Sequence, residues 1–525
     1  MQYFAAPVLE HYEQELIPQN FDKAYYPHGE VTLGTDSNVT LQTTSIDFLD
    51  LDGATLAIEP DTVSWSFFGR RETELVKQLQ QPRSYQWLLQ NWPQDGLESP
   101  DAFVSQLFRR GLLTIDNHTC TDPTIFQDSA NVQEGHLVEL LITEKCNLAC
   151  SYCLAGANPK MPHMNSDMTR KTVDLAFAMQ EAPNLTFEFS GGEPFLRFDL
   201  IKETTEYINQ QAEKTGRKAY VCLQTNGTLL NPERVAWAKQ NNVQIGLSLD
   251  GNPQSHNLSR PQVNGKESFS KILYGLDLLQ EAGIEPGVLV VLNRSNVHSV
   301  QELVDFLVDN GIHGVKLNPV AFLGTARADW HDVGLSQEEI TEYFQSFAHL
   351  IVEQNHSLIE TNLRDMIRHI ISKQRQSRCL RGHCGAGESF QTIAANGDIY
   401  PCGRSTQTPE LVLGNVFDET RSLSAPAQEN PFIQQIKTRR PKTLEGCSSC
   451  HYREMCQAGC SVQAFEKYRT VRHRTPECSF NKAMYPFLLR WLSFDPMAVD
   501  FFNRYHYFGE GTQEIEIVSK PFLLD

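Results

Sequence analysis

From residue 137 to about residue 355 the chain alternates short β-rich runs with amphipathic helical stretches, and this alternation restricts the fold more than any other feature. The expected strands are Leu137–Thr143, Leu185–Phe189, Ala219–Leu223, Val243–Leu249, Gly287–Leu292 and Gly314–Leu317. The helical stretches between them include Thr169–Gln180, Leu200–Glu213, Pro232–Asn241, Phe269–Ala282 and Val300–Asn310. Strictly alternating βα units imply a parallel sheet, because each helix carries the chain back to start the next strand in the same direction. In such sheets the chemistry gathers at the C-terminal ends of the strands.

The first strand runs into Cys146, Cys150 and Cys153, at x3 and x2 spacing. Cysteines this close on one loop can converge on one metal centre. Four thiolates usually hold an iron–sulfur cluster, and three would leave one iron open to bind something else, as the open position of a catalytic metal does. A zinc knuckle or a chance cluster carries the same spacing, although zinc usually takes two close pairs. A second group follows as Cys379-x4-Cys384-x17-Cys402, then Cys447-x2-Cys450-x5-Cys456-x3-Cys460, then Cys478. Those eight thiols suffice for two four-cysteine sites, of iron–sulfur or of zinc. Cys120 and Cys222 stand alone.

The stretch CNLACSYC resembles the Cx3CxΦC signature of the radical SAM enzymes, with Tyr152 at the aromatic position. The resemblance implies that the cluster on Cys146, Cys150 and Cys153 chelates S-adenosylmethionine and cleaves it to a 5′-deoxyadenosyl radical. Ser190-Gly191-Gly192-Glu193-Pro194, after the second strand, is similar to the GGEP motif, which holds the amino group of that cofactor. Gln224-Thr225-Asn226-Gly227 ends the third strand and resembles the family's TNG. Ser248-Leu249-Asp250-Gly251, followed by His256 and Arg260, is similar to a stretch found in anaerobic sulfatase maturases. There Ser248 and Arg260 are implied to reach the ribose or carboxylate of the cofactor, an Arg fork suiting both carboxylate oxygens. Asn318, at the end of the last strand, lines the same site in relatives.

Gly397 and Cys402 form Gx4C, and the whole C-terminal set resembles the SPASM extension. The family's threading implies one auxiliary 4Fe–4S cluster on Cys379, Cys384, Cys402 and Cys460, and a second on Cys447, Cys450, Cys456 and Cys478. Three 4Fe–4S clusters and S-adenosylmethionine are therefore the expected cofactors, with a flavodoxin or ferredoxin as electron donor. The fold expected is α/β: a partial (β/α)6 radical SAM barrel at 136–355, after a 117–135 linker, with a Cys-rich SPASM domain at 356–480 and a helical tail at 481–525.

Before the barrel, Val31-Thr32-Leu33, Val39-Thr40-Leu41 and Ala54–Ile58 read as short strands. Helices are expected over Arg70–Gln81, over Ser84–Asn91 and from the Ser99-Pro100 cap to Gly111. Residues 1–116 thus resemble a winged-helix-like (α+β) module of the kind that grips the leader of a precursor peptide by adding it to a sheet edge. A purely structural N-terminal domain would have the same pattern. The aromatic tail, Tyr485 to Phe508, suits core packing or a wall against water.

Composition excludes several classes. A net charge of −19 argues against a nucleic-acid footprint, since phosphates attract cations. No apolar run approaches the roughly eighteen residues of a membrane span. The N-terminal residues lack the basic flank and apolar core of a secretory signal, so a cytoplasmic location is expected. Thirteen cysteines then point to metal sites rather than disulfides. The function expected is a maturase that takes hydrogen from a ribosomally made precursor peptide and installs a cyclophane carbon–carbon or thioether crosslink. The alternatives are a formylglycine-generating anaerobic sulfatase maturase and a peptide epimerase. Sulfatase maturases carry an Asp directly after the Gx4C cysteine as base, and here that position is Gly403. A peptide-binding scaffold without catalysis and a non-enzymatic zinc protein are the readings outside that class.

Overall fold

The expected parallel strands are present as β8 (His136–Thr143), β9 (Asn184–Gly191), β10 (Lys218–Thr225), β11 (Gln244–Ser248), β12 (Gly287–Leu292) and β13 (Gly314–Pro319). They lie side by side in sequence order, all parallel. This computed structural model describes residues 33, 38–51, 53–93, 99–120, 135–179, 182–371, 379, 384–419 and 422–505. Alternate residues of each strand face the core. In β9, Leu185, Phe187 and Phe189 are fully buried while the residues between them are half-exposed, the period-two pattern of a strand packed under helices. The crossover helices Ser166–Phe177, Phe198–Thr215, Pro232–Gln240, Phe269–Glu281 and Val300–Asp309 cover the sheet. Asn165 and Asn231 cap two of them through their side chains. Asn252 caps a further short helix, Pro253–Ser259, that the sequence pattern did not suggest.

The sheet is larger than expected. β14 (Ile359–Glu360) joins β13 in parallel. On the other side β15 (Phe390–Ile393) pairs in parallel with β8, and β16 (Asp398–Tyr400) and β17 (Gly414–Asn415) follow antiparallel. Among the described residues ten strands form one open sheet ending at β14 and β17. The sheet therefore runs across residue 355, where the sequence placed a boundary. Cys402 lies two residues past the end of β16, so the Gx4C turn hangs from the same sheet that bears the Cys146 loop.

The N-terminal part is built from β1 (Thr40–Thr43), β2 (Asp47–Leu51), β3 (Ala54–Glu59), β4 (Ser64–Phe68), β5 (Arg83–Ser84), β6 (Leu113–Ile115) and β7 (His118–Thr119). Its three expected helices are present at Arg70–Gln78, Tyr85–Asn91 and Pro100–Arg109, the last two capped by Ser84 and Ser99. They pack with the small sheet β5-β1-β6-β7 around Leu41, Phe103 and Phe108. Strands β2 and β4 were missed, and with β3 they make a separate three-stranded sheet. This sheet serves two cores: Ala57 and Phe68 face the helices, while Leu56, Ile58, Trp65 and Phe67 join the main core. β7 lies inside the stretch expected as linker. Val31 and Thr32, the first thirty residues, 121–134, Tyr507 and Phe508 lie outside the described residues.

The tail forms helices Cys478–Phe494 and Pro496–Arg504. Tyr485, Trp491, Phe501 and Phe502 are buried in the main core, so packing accounts for its aromatics. None of them lines the cavity described below. Among the described residues no helix is long and apolar enough to cross a membrane.

Candidate active site and cysteine clusters

A cavity of about 300 Å³ opens at the C-terminal ends of β8–β13. Cys146, Cys150, Tyr152, Cys153, Gly191, Gly192, Asn226, Ser248, Arg260 and Asn318 all line it. Residues spread over more than 170 positions thus converge because all but Arg260, which follows the short helix Pro253–Ser259, lie at or just beyond strand ends of one parallel sheet.

Close backbone packing holds the Cys146 loop. The amide of Ala149 donates to the Pro261 carbonyl at 2.8 Å, that of Ser151 to Ser259 at 3.2 Å, and that of Val263 to Asn147 at 3.1 Å. Gly191 has φ +116°, and Gly192 lies so near the loop that a Cβ on it would stand 2.1 Å from the Lys145 carbonyl oxygen. Only glycine fits either position. On the far side Gly324 (φ +53°) packs on the Cys153 and Leu154 carbonyls. Beside it the Thr325 amide donates to the Cys153 carbonyl at 3.0 Å.

Around the thiols the polar groups are tied to one another. Tyr152 donates its hydroxyl to Asp250. Arg260 Nε lies 3.0 Å from the same carboxylate, and its guanidinium stacks over the Tyr152 ring at 5.3 Å. Arg260 is only 6% exposed. Gln224 donates to Ser248 at 2.9 Å. Asn226 Nδ2 donates to Asn147 at 3.0 Å and approaches Cys146 Sγ at 3.8 Å. Burial pushes the Cys146 thiol up to about 11 and the Cys150 thiol to about 12, the Arg260 charge opposing the rise at Cys150. A bound cation is what such a pocket needs to hold thiolates.

Glu193 is placed differently from the other motif residues. It is fully buried and does not line the cavity. Its carboxylate accepts from the Phe195 amide (3.1 Å), the Thr225 hydroxyl (2.8 Å) and the Asn226 amide (2.8 Å). Burial raises it to about 7 despite those bonds.

The eight C-terminal thiols fall into two sets by their mutual repulsion. Cys384 feels Cys379, Cys460 and Cys402, whereas Cys456 feels Cys447, Cys450 and Cys478. The family's threading groups the same cysteines as ligand sets. Burial pushes Cys402 up to about 12 and Cys447 to about 11. All the described cysteines are free thiols. Among the described residues no three His, Cys, Asp or Glu side chains converge to hold a single metal ion. Between the two quartets lies Arg439, 6% exposed. It donates to the carbonyls of Ala458, Gly459, Val471 and His473 at 2.8–3.0 Å.

Several lining residues carried no motif. Arg404 enters the cavity from the Gx4C turn. Glu139 projects from β8, where a side chain at position 403 would meet its Oε2 at 2.6 Å. A lone charge inside the apolar run Leu137–Thr143 is the signal that could have located it.

An open parallel sheet with a three-cysteine loop at its C-terminal edge and two cysteine quartets beyond defines a radical SAM protein with a SPASM extension. Residues 140–307 match the Radical SAM superfamily, and residues 384–451 match the SPASM iron–sulfur cluster-binding domain. The chain carries both domains, and its cofactors are S-adenosylmethionine, the 4Fe–4S cluster that binds it, and auxiliary clusters. Among curated relatives it is 26% identical over 348 residues to the serine-type anaerobic sulfatase-maturating enzyme of Bacteroides thetaiotaomicron, covering 61% of this chain and 81% of that one. It is 27% identical over 365 residues to the AdoMet-dependent heme synthase of Nitratidesulfovibrio vulgaris, covering 66% and 92%. Among solved structures it shares the fold of native anSMEcpe with bound AdoMet (TM-score 0.59, 20% identity, 70% of this chain and 99% of that one). It also shares that of Streptococcus suis SuiB bound to precursor peptide SuiA (TM-score 0.51, 15% identity, 83% and 99%).

Proposed function

We propose that this chain is a maturase that removes hydrogen from a ribosomally made precursor peptide and joins two of its residues through a cyclophane carbon–carbon bond or a thioether. One observation carries the peptide substrate. The cavity shares Pro319, Val320 and Ala321 with a neighbouring groove of about 680 Å³, walled by Phe322, Trp330, Leu335 and Ile340. Together they offer room for an extended chain with one residue at the thiol loop, more than a small substrate needs. Relatives named as sulfatase-maturating enzymes, and SuiB with its precursor peptide, support the same class.

In this reading Cys146, Cys150 and Cys153 hold the cluster. Bound there, S-adenosylmethionine supplies a 5′-deoxyadenosyl radical. Gly191 and Gly192 let the cofactor approach the backbone, and Glu193, buried behind them, braces the Thr225–Asn226 strand end that faces the cofactor. Asn226, Ser248, Arg260 and Asn318 position the ribose and carboxylate, with Arg260 held in place by Asp250. The two quartets hold fully ligated auxiliary clusters that carry electrons. The N-terminal part receives the leader, and β2, which among the described residues pairs with β3 alone, is an edge to which a peptide strand can add.

Formylglycine formation is the second reading, favoured by the sulfatase-maturase relatives and opposed by Gly403. Co-expression without oxygen with the short peptides encoded beside the gene tests both. The crosslink reading expects a loss of two hydrogens, a fragment spectrum silent between the joined residues, no reaction with aldehyde reagents, and no change with Cys150→Ala. A peptide trapped by an aldehyde reagent would instead establish formylglycine.

A further inference from the structure

We propose that Glu139 is the proton acceptor of this site, taking the proton released when the substrate radical closes its new bond. The inference rests on the peptide-maturase reading above. Among the described residues lining the cavity Glu139 is the only carboxylate, and the other charged groups there, Arg260 and Arg404, are cations. The acids nearby are otherwise engaged. Asp250 is held by Tyr152, Arg260 and the Val291 amide, Glu193 accepts from three donors, and neither lines the cavity.

Glu139 is also a built feature rather than a stray charge. It sits in the middle of β8, the strand that leads into the Cys146 loop, and is half-buried. On the adjacent β15 the Thr392 hydroxyl donates to Oε2 at 2.6 Å, fixing the rotamer. A Cβ at position 403 would stand 2.6 Å from Oε2 and 3.3 Å from Oε1. Gly403 thus leaves the carboxylate the space it occupies, and β8, β15 and the Gx4C turn together aim it into the cavity. A positioned carboxylate within reach of the reacting carbon is what a general base requires.

The step balances as follows. The substrate gives one hydrogen atom to the 5′-deoxyadenosyl radical, forming 5′-deoxyadenosine. Closing the new bond releases a second hydrogen as a proton and an electron. Glu139 takes the proton, and an oxidised auxiliary iron–sulfur cluster takes the electron.

The test compares the wild type, Glu139→Gln, Glu139→Ala and the double variant Glu139→Ala/Gly403→Asp with one convertible peptide. Crosslinked product from Glu139→Gln should form about 100-fold more slowly, the lower end of what a general base contributes. The ratio of 5′-deoxyadenosine to crosslinked peptide should rise by a similar factor. The double variant returns a carboxylate to the same space from the opposite wall, and should recover at least about ten-fold over Glu139→Ala. Product at the wild-type rate and ratio from Glu139→Gln overturns the proposal. So does loss of iron in both Glu139 variants without recovery in the double variant, because that outcome makes Glu139 structural. If the wild type converts no peptide, the maturase reading fails, and thermal melting then decides the geometry alone. Gly403→Ala should melt lower than Glu139→Ala/Gly403→Ala, and equal melting would remove the carboxylate from that space and the inference with it.

Discussion

Single atoms decide whether the thiol loop can close. A methyl group on Gly192 would stand 2.1 Å from the Lys145 carbonyl oxygen, well inside contact distance, and a backbone carbonyl cannot turn aside as a side chain can. Gly192→Ala should therefore displace the Cys146 loop while leaving both quartets intact. Iron per chain after anaerobic reconstitution should fall from about twelve to about eight, as for the loss of one four-iron cluster out of three. An unchanged count would mean that the loop tolerates the displacement. Glu360 sets a different constraint at the same scale. It is fully buried at the end of β14 and accepts from the Leu317 and Leu363 amides and from Asn362. Burial nonetheless raises it to about 7 from an ordinary 4.5. A carboxyl raised on folding binds its proton more tightly folded than unfolded. Its contribution is complete below about pH 4.5 and is lost as pH rises through about 7, on the order of 3 kcal/mol in all. Denaturant unfolding across that window should show stability falling with pH. Glu360→Gln should flatten part of the slope, leaving the share due to Glu193, and should lower stability at acid pH by about 1–2 kcal/mol for the acceptor lost. Most motif residues were legible because they stand at strand ends that the alternation had already located; His256 and Arg260, on and after the short helix Pro253–Ser259, were legible only by their spacing from Asp250. Glu139 was not, because its role depends on β15, a strand 250 positions away that no local pattern pairs with β8.

Edges and crossings of elements were where propensity failed. β2 contains two aspartates, and β4 is too short to declare a period, so the sequence did not reveal the sheet they form with β3. That sheet matters because, among the described residues, β2 is its outer edge. Counted back from the Leu51–Ala54 pair, Phe48 and Asp50 turn their amide and carbonyl groups away from β3, by the alternation of an antiparallel ladder. Asp50 is exposed, whereas Phe48 packs against the N-terminal core. Asp50→Pro removes an outward donor without touching that core, and should weaken binding of a labelled leader peptide at least ten-fold, about 1.4 kcal/mol or more. Iron content should stay as in the wild type. Full-strength binding by this variant would move the leader site away from β2.

Across the whole molecule, the N-terminal sheet, the parallel sheet and the cysteine quartets meet in one packed body. Trp65 donates to the Ile370 carbonyl at 2.9 Å, and Asp61 pairs with Arg453 and Lys442 beside Cys450 and Cys456. β2 itself reaches the second quartet's loop through Asp47, whose carboxylate lies 2.8 Å from His451 Nδ1, next to Cys450. What joins that quartet to the first is Arg439, whose fork ties the carbonyls of Ala458 and Gly459, between Cys456 and Cys460, to those of Val471 and His473. Each quartet contributes one end of that short loop. Its charge is also buried within reach of Cys384 and Cys460 on one side and Cys447 and Cys456 on the other. Arg439→Met would orphan the carbonyls of Gly459, Val471 and His473, leave that of Ala458 with the Thr475 amide alone, and remove that charge, at a cost of about 1–3 kcal/mol for each acceptor left without water. Both quartets should fail together, so iron per chain should drop from about twelve to about four while the Cys146 loop, held by β8, β9 and the Ser259–Val263 segment, keeps its cluster. Arg439→Lys separates the two contributions: it retains the charge but cannot span four carbonyls, so iron loss in both variants assigns the effect to the fork. Iron retained in both, with the auxiliary signals shifted to lower potential only in Arg439→Met, would assign it to the charge.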